Sequence, residues 1–366
     1  MTVPLLAHSR LCLGGSRYHI GKVCAALIAL GVDGGGSKTF AVAADEQGRV
    51  LGFGRGGCGN YEGTGLDAAM SEIGKACRGA LAAAGAERAV IGCFGLAGAD
   101  FPEDFEMLGT AASTLGVAGE VHIFNDTRVA FAAGSRRGYG AVVVMGSGMN
   151  AAGFAPDGRE CRLPGEGFLY GDWGGAGSVG AEVMHRVFRA YDGRGKPTKL
   201  TSLVLGELGV ADMEELTQRL YHDEIPAAAI PALTRLIFPA ALAGDEGACA
   251  IIRRIADETA YAALAMLRRL GMERDECDVV LGGGMYKGGG PLLLDQVRAG
   301  VHAGAPKTDI IVPTMEPVMG AAILALEKAG VRVDDGVRAR LQEGNDHLVA
   351  PYAVAGLNSQ CPPLES

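Results

Sequence analysis

The chain has 366 residues, of which 48% are apolar and 20% charged, and a formal net charge of −9. That length allows two domains, each with its own core. An acidic balance without a basic stripe argues against nucleic-acid binding. The 58 glycines are roughly twice ordinary usage and cluster after apolar runs, where a backbone turns tightly or approaches a ligand.

Residues 1–22 show no periodicity and read as an irregular N-terminal extension. The run Val23–Val32 is half the length of about 20 residues that a membrane helix needs, and it enters a glycine turn rather than a cleavage site. A chain free of the membrane, in the cytoplasm, is therefore expected. Nine cysteines, an odd number without a C-x-x-C pair, argue against a disulfide framework or a zinc knuckle. Most of them read as buried thiols in a reducing cytosol.

Ala25–Val32 is expected to be a buried strand, broken by Gly34-Gly35-Gly36. Phe40–Ala44 and Val50–Gly54 follow as strands around the turn Asp45–Gly48, giving a three-strand meander. Leu66, Met70, Ile73, Cys77 and Leu81 form one helical stripe within 64–84, with Thr64 as candidate N-cap. Strands at Ala89–Gly95 and Val121–Phe124 come next, the second ending at Asn125-Asp126. Gly140–Met145, the turn Gly146-Ser147-Gly148 and Asn150–Phe154 repeat the opening pattern. D-x-x-G-R at Asp45–Arg49 and D-G-R at Asp157–Arg159 follow the second strand in each copy, which points to an internal duplication. A mostly helical region, 175–270, leads to a strand at Val279–Leu281, then Gly282-Gly283-Gly284, a helix near Leu292–Gly300, a strand at Asp309–Val312 and a helix at Pro317–Ala329. Pro317 suits a first turn and Gly330 a helix stop. The tail 345–366 lacks pattern and is expected to be disordered.

Gly31-Val-Asp-Gly-Gly-Gly-Ser-Lys-Thr39 is not a P-loop, because Ser37 separates the last glycine from Lys38. Gly34, Gly35 and Gly36 allow a backbone to approach an anion closely. Ser37 and Thr39 add hydroxyl donors, and Lys38 adds charge. Asp33, at the strand end, suits a magnesium ion, normally through water.

This motif resembles the first phosphate-binding segment of the acetate kinase/hexokinase/actin superfamily. It is most similar to the N-acetylglucosamine kinase branch of the BadF/BadG/BcrA/BcrD ATPase family. Gly146-Ser147-Gly148 resembles the second phosphate segment, Gly282-Gly283-Gly284 the adenosine segment, and Pro317–Ala322 the closing helix. The resemblance implies an α/β fold of two ribonuclease H-like domains from an internal duplication, with a cleft between them. The first domain would span 23–133, completed by helix 317–330, and the second 134–313 with a helical insertion. It implies ATP and Mg2+ as cofactors, an amino sugar as substrate and a homodimer. Gly34, Gly35, Gly36, Ser37, Lys38, Thr39, Gly146, Ser147, Gly148, Gly283 and Gly284 would bind ATP. Asp126 would be the general base toward a sugar hydroxyl, since a carboxylate within hydrogen-bond reach accepts the proton of a poor nucleophile. Asn60 and Asp172 would join Asp126 in binding the sugar. Gly165–Gly180 keeps Gly171-Asp172 but departs from the family pattern G-W-G-x-x-x-G-D-E-G-S at its aromatic and acidic positions, which puts the identity of the sugar in question. Trp173, the single tryptophan, fits a sugar face or a core position equally.

The leading expectation is phosphorylation of N-acetylglucosamine, glucosamine or N-acetylmuramic acid at the 6-hydroxyl. The alternative within the family is an ATPase activating a 2-hydroxyacyl-CoA dehydratase or benzoyl-CoA reductase through a [4Fe-4S] cluster, for which Cys93 and Cys161 are the nearest candidates, though neither sits in the expected C-A-x-G-T-G context. A sugar sensor would be expected to carry a helix-turn-helix.

Overall fold

The computed structural model describes residues 27–349; the N-terminal extension and the tail beyond 349 lie outside the described residues. Ten strands form two five-stranded mixed sheets. The first holds β1 (Ile28–Gly34), β2 (Thr39–Asp45), β3 (Val50–Gly56), β4 (Ala89–Leu96) and β5 (Ala118–Asn125). The second holds β6 (Gly140–Met145), β7 (Met149–Phe154), β8 (Glu160–Arg162), β9 (Asp278–Gly282) and β10 (Asp309–Ile311).

The sheets repeat one topology. In order β3-β2-β1-β4-β5, the hairpin pairs are antiparallel, and β1-β4 and β4-β5 are parallel. In order β8-β7-β6-β9-β10 the same sequence of pairings recurs. The repeat extends to side chains. Arg49 donates Nε to Asp45 at 2.7 Å, and Arg159 donates Nε to Asp157 at 2.8 Å, around turns with Gly48 at φ 83° and Gly158 at φ 87°. The expected duplication is thus present in backbone and turn chemistry alike. The chain adds a third strand to the second meander, β8, which is only three residues long.

Continuous apolar runs make the central strands buried on both faces, as parallel strands between helices require. The helix Leu66–Ala83 covers one face of the first sheet with Met70, Ile73, Cys77 and Leu81. The helix Pro317–Lys328 returns to cover the other face, packing Val318, Met319, Ala322 and Ile323 against Ala29, Val42, Ile91 and Cys93. The second sheet packs against the helices Ala176–Tyr191 and Glu246–Leu270. Helix Asp126–Gly134 lies between the halves: Val129 joins the core under the first sheet, and Phe131 meets Phe154 of β7 with ring centroids 4.8 Å apart.

Two expectations need correction, and one element is new. Thr64 is not the cap of the helix that follows. It ends a short turn, Tyr61–Thr64, capped by Asn60, and Gly65 precedes the long helix. A further helix, Asp335–Gly344, was not read from its polar sequence. Asn345–Val349, placed by expectation in a disordered tail, forms a helical turn. Asn345 is buried there, its Oδ1 accepting from Glu316 N at 2.8 Å and its Nδ2 donating to Thr314 O at 3.3 Å.

Candidate active site

The candidate residues gather where the parallel strands of both sheets end, the position at which open α/β sheets bind ligands. β1 ends at Asp33-Gly34, β5 at Asn125, β6 at Met145 and β9 at Gly282.

The turn after β1 closes with Gly35 N donating to Lys38 O at 3.0 Å, leaving Gly36 and Ser37 exposed at its tip. The turn after β6 closes likewise, Gly146 N donating to Gly148 O at 2.9 Å. It abuts the N-terminus of helix Ala176–Tyr191, where Ala176 N donates to Gly146 O at 2.9 Å. At Gly36, Gly146, Gly148 and Gly284 a Cβ would meet nothing within 4 Å, and none of the four has positive φ. Neither packing nor backbone conformation therefore demands glycine there. The main chain of these turns is therefore open to close approach by a ligand. Gly283 is different, with φ 97° and no room for a Cβ against Met145 O.

Thr39 departs from its expected role. It is buried, and its hydroxyl donates to Gly57 O at 2.9 Å, so it braces the hairpin against the 57–60 loop instead of presenting a phosphate donor. Lys38 is half-buried, its Nζ 4.6 Å from the Phe40 ring centroid, and burial lowers its pKa.

Asp33 and Asp126 face one another's field. Burial first, then the Asp126 and Glu316 carboxylates, push Asp33 up to about 7 against the pull of Lys38 and Lys287. Burial first, then Asp100, raise Asp126 to about 6, opposed by the Thr127 N–H and Arg162. Asp126 opens its helix directly after Asn125, the N-cap, whose Oδ1 accepts from Thr127 N at 3.0 Å. Glu316, unassigned from sequence, caps the closing helix and meets Lys287 Nζ at 2.5 Å. Lys287 lies on the helix Gly284–Gly304 of the second half, so this pair joins the two halves. Asp33, raised by burial and by the nearby Asp126 and Glu316 carboxylates, offers a hard oxygen ligand of the kind Mg2+ takes.

On the other side, the carboxylate oxygens of Glu62, Asp100 and Glu166 lie within 4.8 Å of one another. Burial first, then Glu62 and Asp100, raise the Glu166 pKa. Asn60 sits beside this group, capping Glu62 N at 3.0 Å while its Nδ2 lies 3.4 Å from Glu62 Oε2. Gly98, in the Gly95–Ala99 segment, packs against Asn60 and Tyr61 with φ 81°. Asp172 is buried, and its Oδ2 accepts from Gly167 N at 2.9 Å, closing the loop that follows Glu166. Trp173 belongs to the core of the second half, with the Arg254 guanidinium 3.9 Å from its ring centroid.

The cysteines weighed as cluster ligands do not fit that role. Cys93 is fully buried in β4, its thiol pushed up to about 12 by burial. Cys161 is on β8 of the other sheet, its Sγ 3.6 Å from Met266 O. Among the described residues no helix is long and apolar enough to cross a membrane.

The profile of the BadF/BadG/BcrA/BcrD ATPase family matches residues 30–325. An N-acetyl-D-glucosamine kinase from Dictyostelium discoideum is 29% identical over 313 residues, covering 82% of this chain and 98% of that relative. An N-acetylmuramic acid/N-acetylglucosamine kinase from Clostridium acetobutylicum is 28% identical over 299 residues, covering 81% and 97%. Among solved structures, a candidate N-acetylglucosamine kinase from Chromobacterium violaceum superposes with a TM-score of 0.63 at 23% identity, over 82% of this chain and 99% of that one.

Proposed function

The chain belongs to the BadF/BadG/BcrA/BcrD ATPase family, and from that premise we propose that it is an amino-sugar kinase whose general base is Asp126. The observation that carries this reading is a carboxylate raised to about 6 at the first turn of a helix, beside turns whose Gly36, Gly146, Gly148 and Gly284 leave the main chain open. Both curated relatives are amino-sugar kinases matched along nearly their whole length, which supports the same class here.

In this mechanism ATP lies along the turns 34–38, 146–148 and 283–284. The sugar sits near Asn60, Asp126 and Asp172, with its 6-hydroxyl directed at Asp126. The Asp126 carboxylate accepts the hydroxyl proton as the oxygen bonds to the γ-phosphorus and the bond to the ADP oxygen breaks. A pKa near 6 keeps the base ionised at neutral pH yet basic enough to take the proton. Lys38 and the main chain of the turns hold the phosphates by charge and N–H donors. Asp33, with Glu316 facing it, would hold Mg2+, which neutralises phosphate charge when bound. The units that close on the substrates are residues 23–133 with helix 317–330, and residues 134–313. Closure excludes water from the phosphate.

The test is Asp126→Asn. It should bind ATP and sugar but lose about 10²–10⁴-fold in kcat, the range general-base catalysis supplies. Retention of turnover within a few-fold would remove Asp126 as the base. The phosphorylated position, read by phosphorus–proton NMR of the product, tests the 6-hydroxyl assignment separately.

A further inference from the structure

The sugar side of the cleft holds a second bridge between the halves, and it is made by one arginine on the edge strand that sequence pattern did not reveal. Arg162 is the last residue of β8, paired across to Ala152, and its own carbonyl accepts from Arg269 Nη1 at 2.9 Å. The backbone is thus tied to the second half on both sides. The guanidinium reaches the first half instead. Nη1 donates to the Asp100 carboxylate and, at 3.2 Å, to Ala99 O, while Nη2 donates to Asp100 O. The ion pair is sheltered, with side-chain exposure of 20% for Arg162 and 9% for Asp100.

The same acceptors serve Asn125. Its Nδ2 donates to Asp100 Oδ1 at 3.0 Å and to Ala99 O at 3.2 Å. Its Oδ1 caps the helix that starts at Asp126. The loop 97–101 is fixed from the far side by Asp104, which accepts from Asp100 N at 3.1 Å and Phe101 N at 2.7 Å and holds Tyr61 Oη at 2.7 Å. Arg162 therefore grips a loop whose remaining hydrogen bonds named here lie within the first half. The loop's other neighbours include the N-cap of the Asp126 helix, the turn that carries Asn60 and, from the second half, the Glu166 carboxylate.

We propose that Arg162 is a positioning residue that latches the sugar side of the cleft and, through Asp100 and Asn125, sets the place of Asp126 in the closed state. This rests on the kinase reading for its catalytic consequence, but the latch itself is a property of shape. A planar fork with three acceptors on one loop gives a defined orientation that a single ammonium does not reproduce. Opening the latch admits water beside the phosphate and lets the base drift, and a displacement of about 1 Å costs on the order of 100-fold in rate.

The experiment uses the full chain with Arg162→Met and Arg162→Lys. Small-angle scattering of the unliganded protein reads the latch without any activity, and Arg162→Met should increase the radius of gyration. Kinetics then read its consequence. Arg162→Met should lower kcat by about 10–100-fold, leave KM for ATP within about twofold, and raise the share of ATP hydrolysed without sugar. Arg162→Lys should recover part of the rate and remain at least several-fold below wild type. Should Arg162→Met fail to fold, the lysine variant carries the test. A lysine variant at full rate with wild-type coupling, or an unchanged radius of gyration in both variants, overturns the proposal. Absence of sugar-dependent turnover in wild type would instead overturn the kinase reading, and scattering would still decide the latch.

Discussion

Gly320 of the closing helix rests so tightly on Val129 that a Cβ there would lie 1.9 Å from the Val129 carbonyl oxygen and 2.7 Å from Ala133 N. Val129 is on the helix that begins at Asp126. The last helix of the fold thus bears directly on the helix of the proposed base, main chain against main chain. Gly320→Ala should destabilise the protein by about 1–3 kcal/mol, since overpacking backbone against backbone leaves no side chain to yield. It should also lower kcat more than it changes KM. Chemical denaturation and steady-state kinetics check both; an unchanged denaturation midpoint would contradict the packing.

Gly36 offers the opposite case. A Cβ there meets nothing within 4 Å and the φ is not positive. Gly36→Ala should leave the fold as stable as wild type or more so by up to about 1 kcal/mol, through the unfolded chain. It should weaken ATP binding by at least about tenfold if phosphate approaches the turn. Unchanged ATP affinity would remove the turn as a phosphate site.

Asp126→Asn separates stability from function. The folded pKa of Asp126, about 6, lies above the ordinary value of 3.8. The native state therefore holds the proton more tightly than the unfolded chain, and this group's contribution declines as pH rises from about 4 to about 6. Above pH 6 the buried charge is a standing cost. The asparagine variant should unfold at a higher temperature than wild type at pH 7.5 and show no such gain at pH 4. In wild type, kcat/KM should fall as pH drops through about 6, because the base becomes protonated. A flat acid side down to pH 5 would contradict the assignment.

The carboxylates of Glu62, Asp100 and Glu166 bear on the choice of sugar. N-acetylmuramic acid carries a carboxylate of its own, which N-acetylglucosamine and glucosamine lack. Like charges near a protein surface repel by about 1 kcal/mol or more at short range. The two uncharged or cationic sugars should therefore have kcat/KM at least about fivefold above that for N-acetylmuramic acid. Glu166→Gln should narrow the gap, and equal use of all three sugars by wild type would contradict this reading.

Much of the fold was legible because its signals are local. The strands at 28–34, 89–96 and 140–145 are built on apolar runs with glycines within or just after them, and the Asp–Arg turns repeat within sight of them. β8 was not legible, because three residues on an edge, Glu160-Cys161-Arg162, are too few to show a strand pattern. Thr64 looked like a cap, but Asn60 begins an extra turn four residues earlier, and the chain re-enters helix through Gly65. In the site, the motif residues were visible as clusters, while Asp100, Arg162, Lys287 and Glu316 were not. None of them belongs to a motif in its own segment, and they meet only once the two sheets face each other. Thr39 was misjudged for a related reason, since a buried loop carbonyl claims its hydroxyl and no local pattern shows that loop.

The most direct measurement is ADP release from Mg-ATP by the purified chain with N-acetylglucosamine, glucosamine, N-acetylmuramic acid, glucose, or no sugar. The proposed function predicts release that depends on an amino sugar, with the no-sugar rate lower by at least about tenfold. Release at one slow rate, indifferent to every sugar, would contradict it.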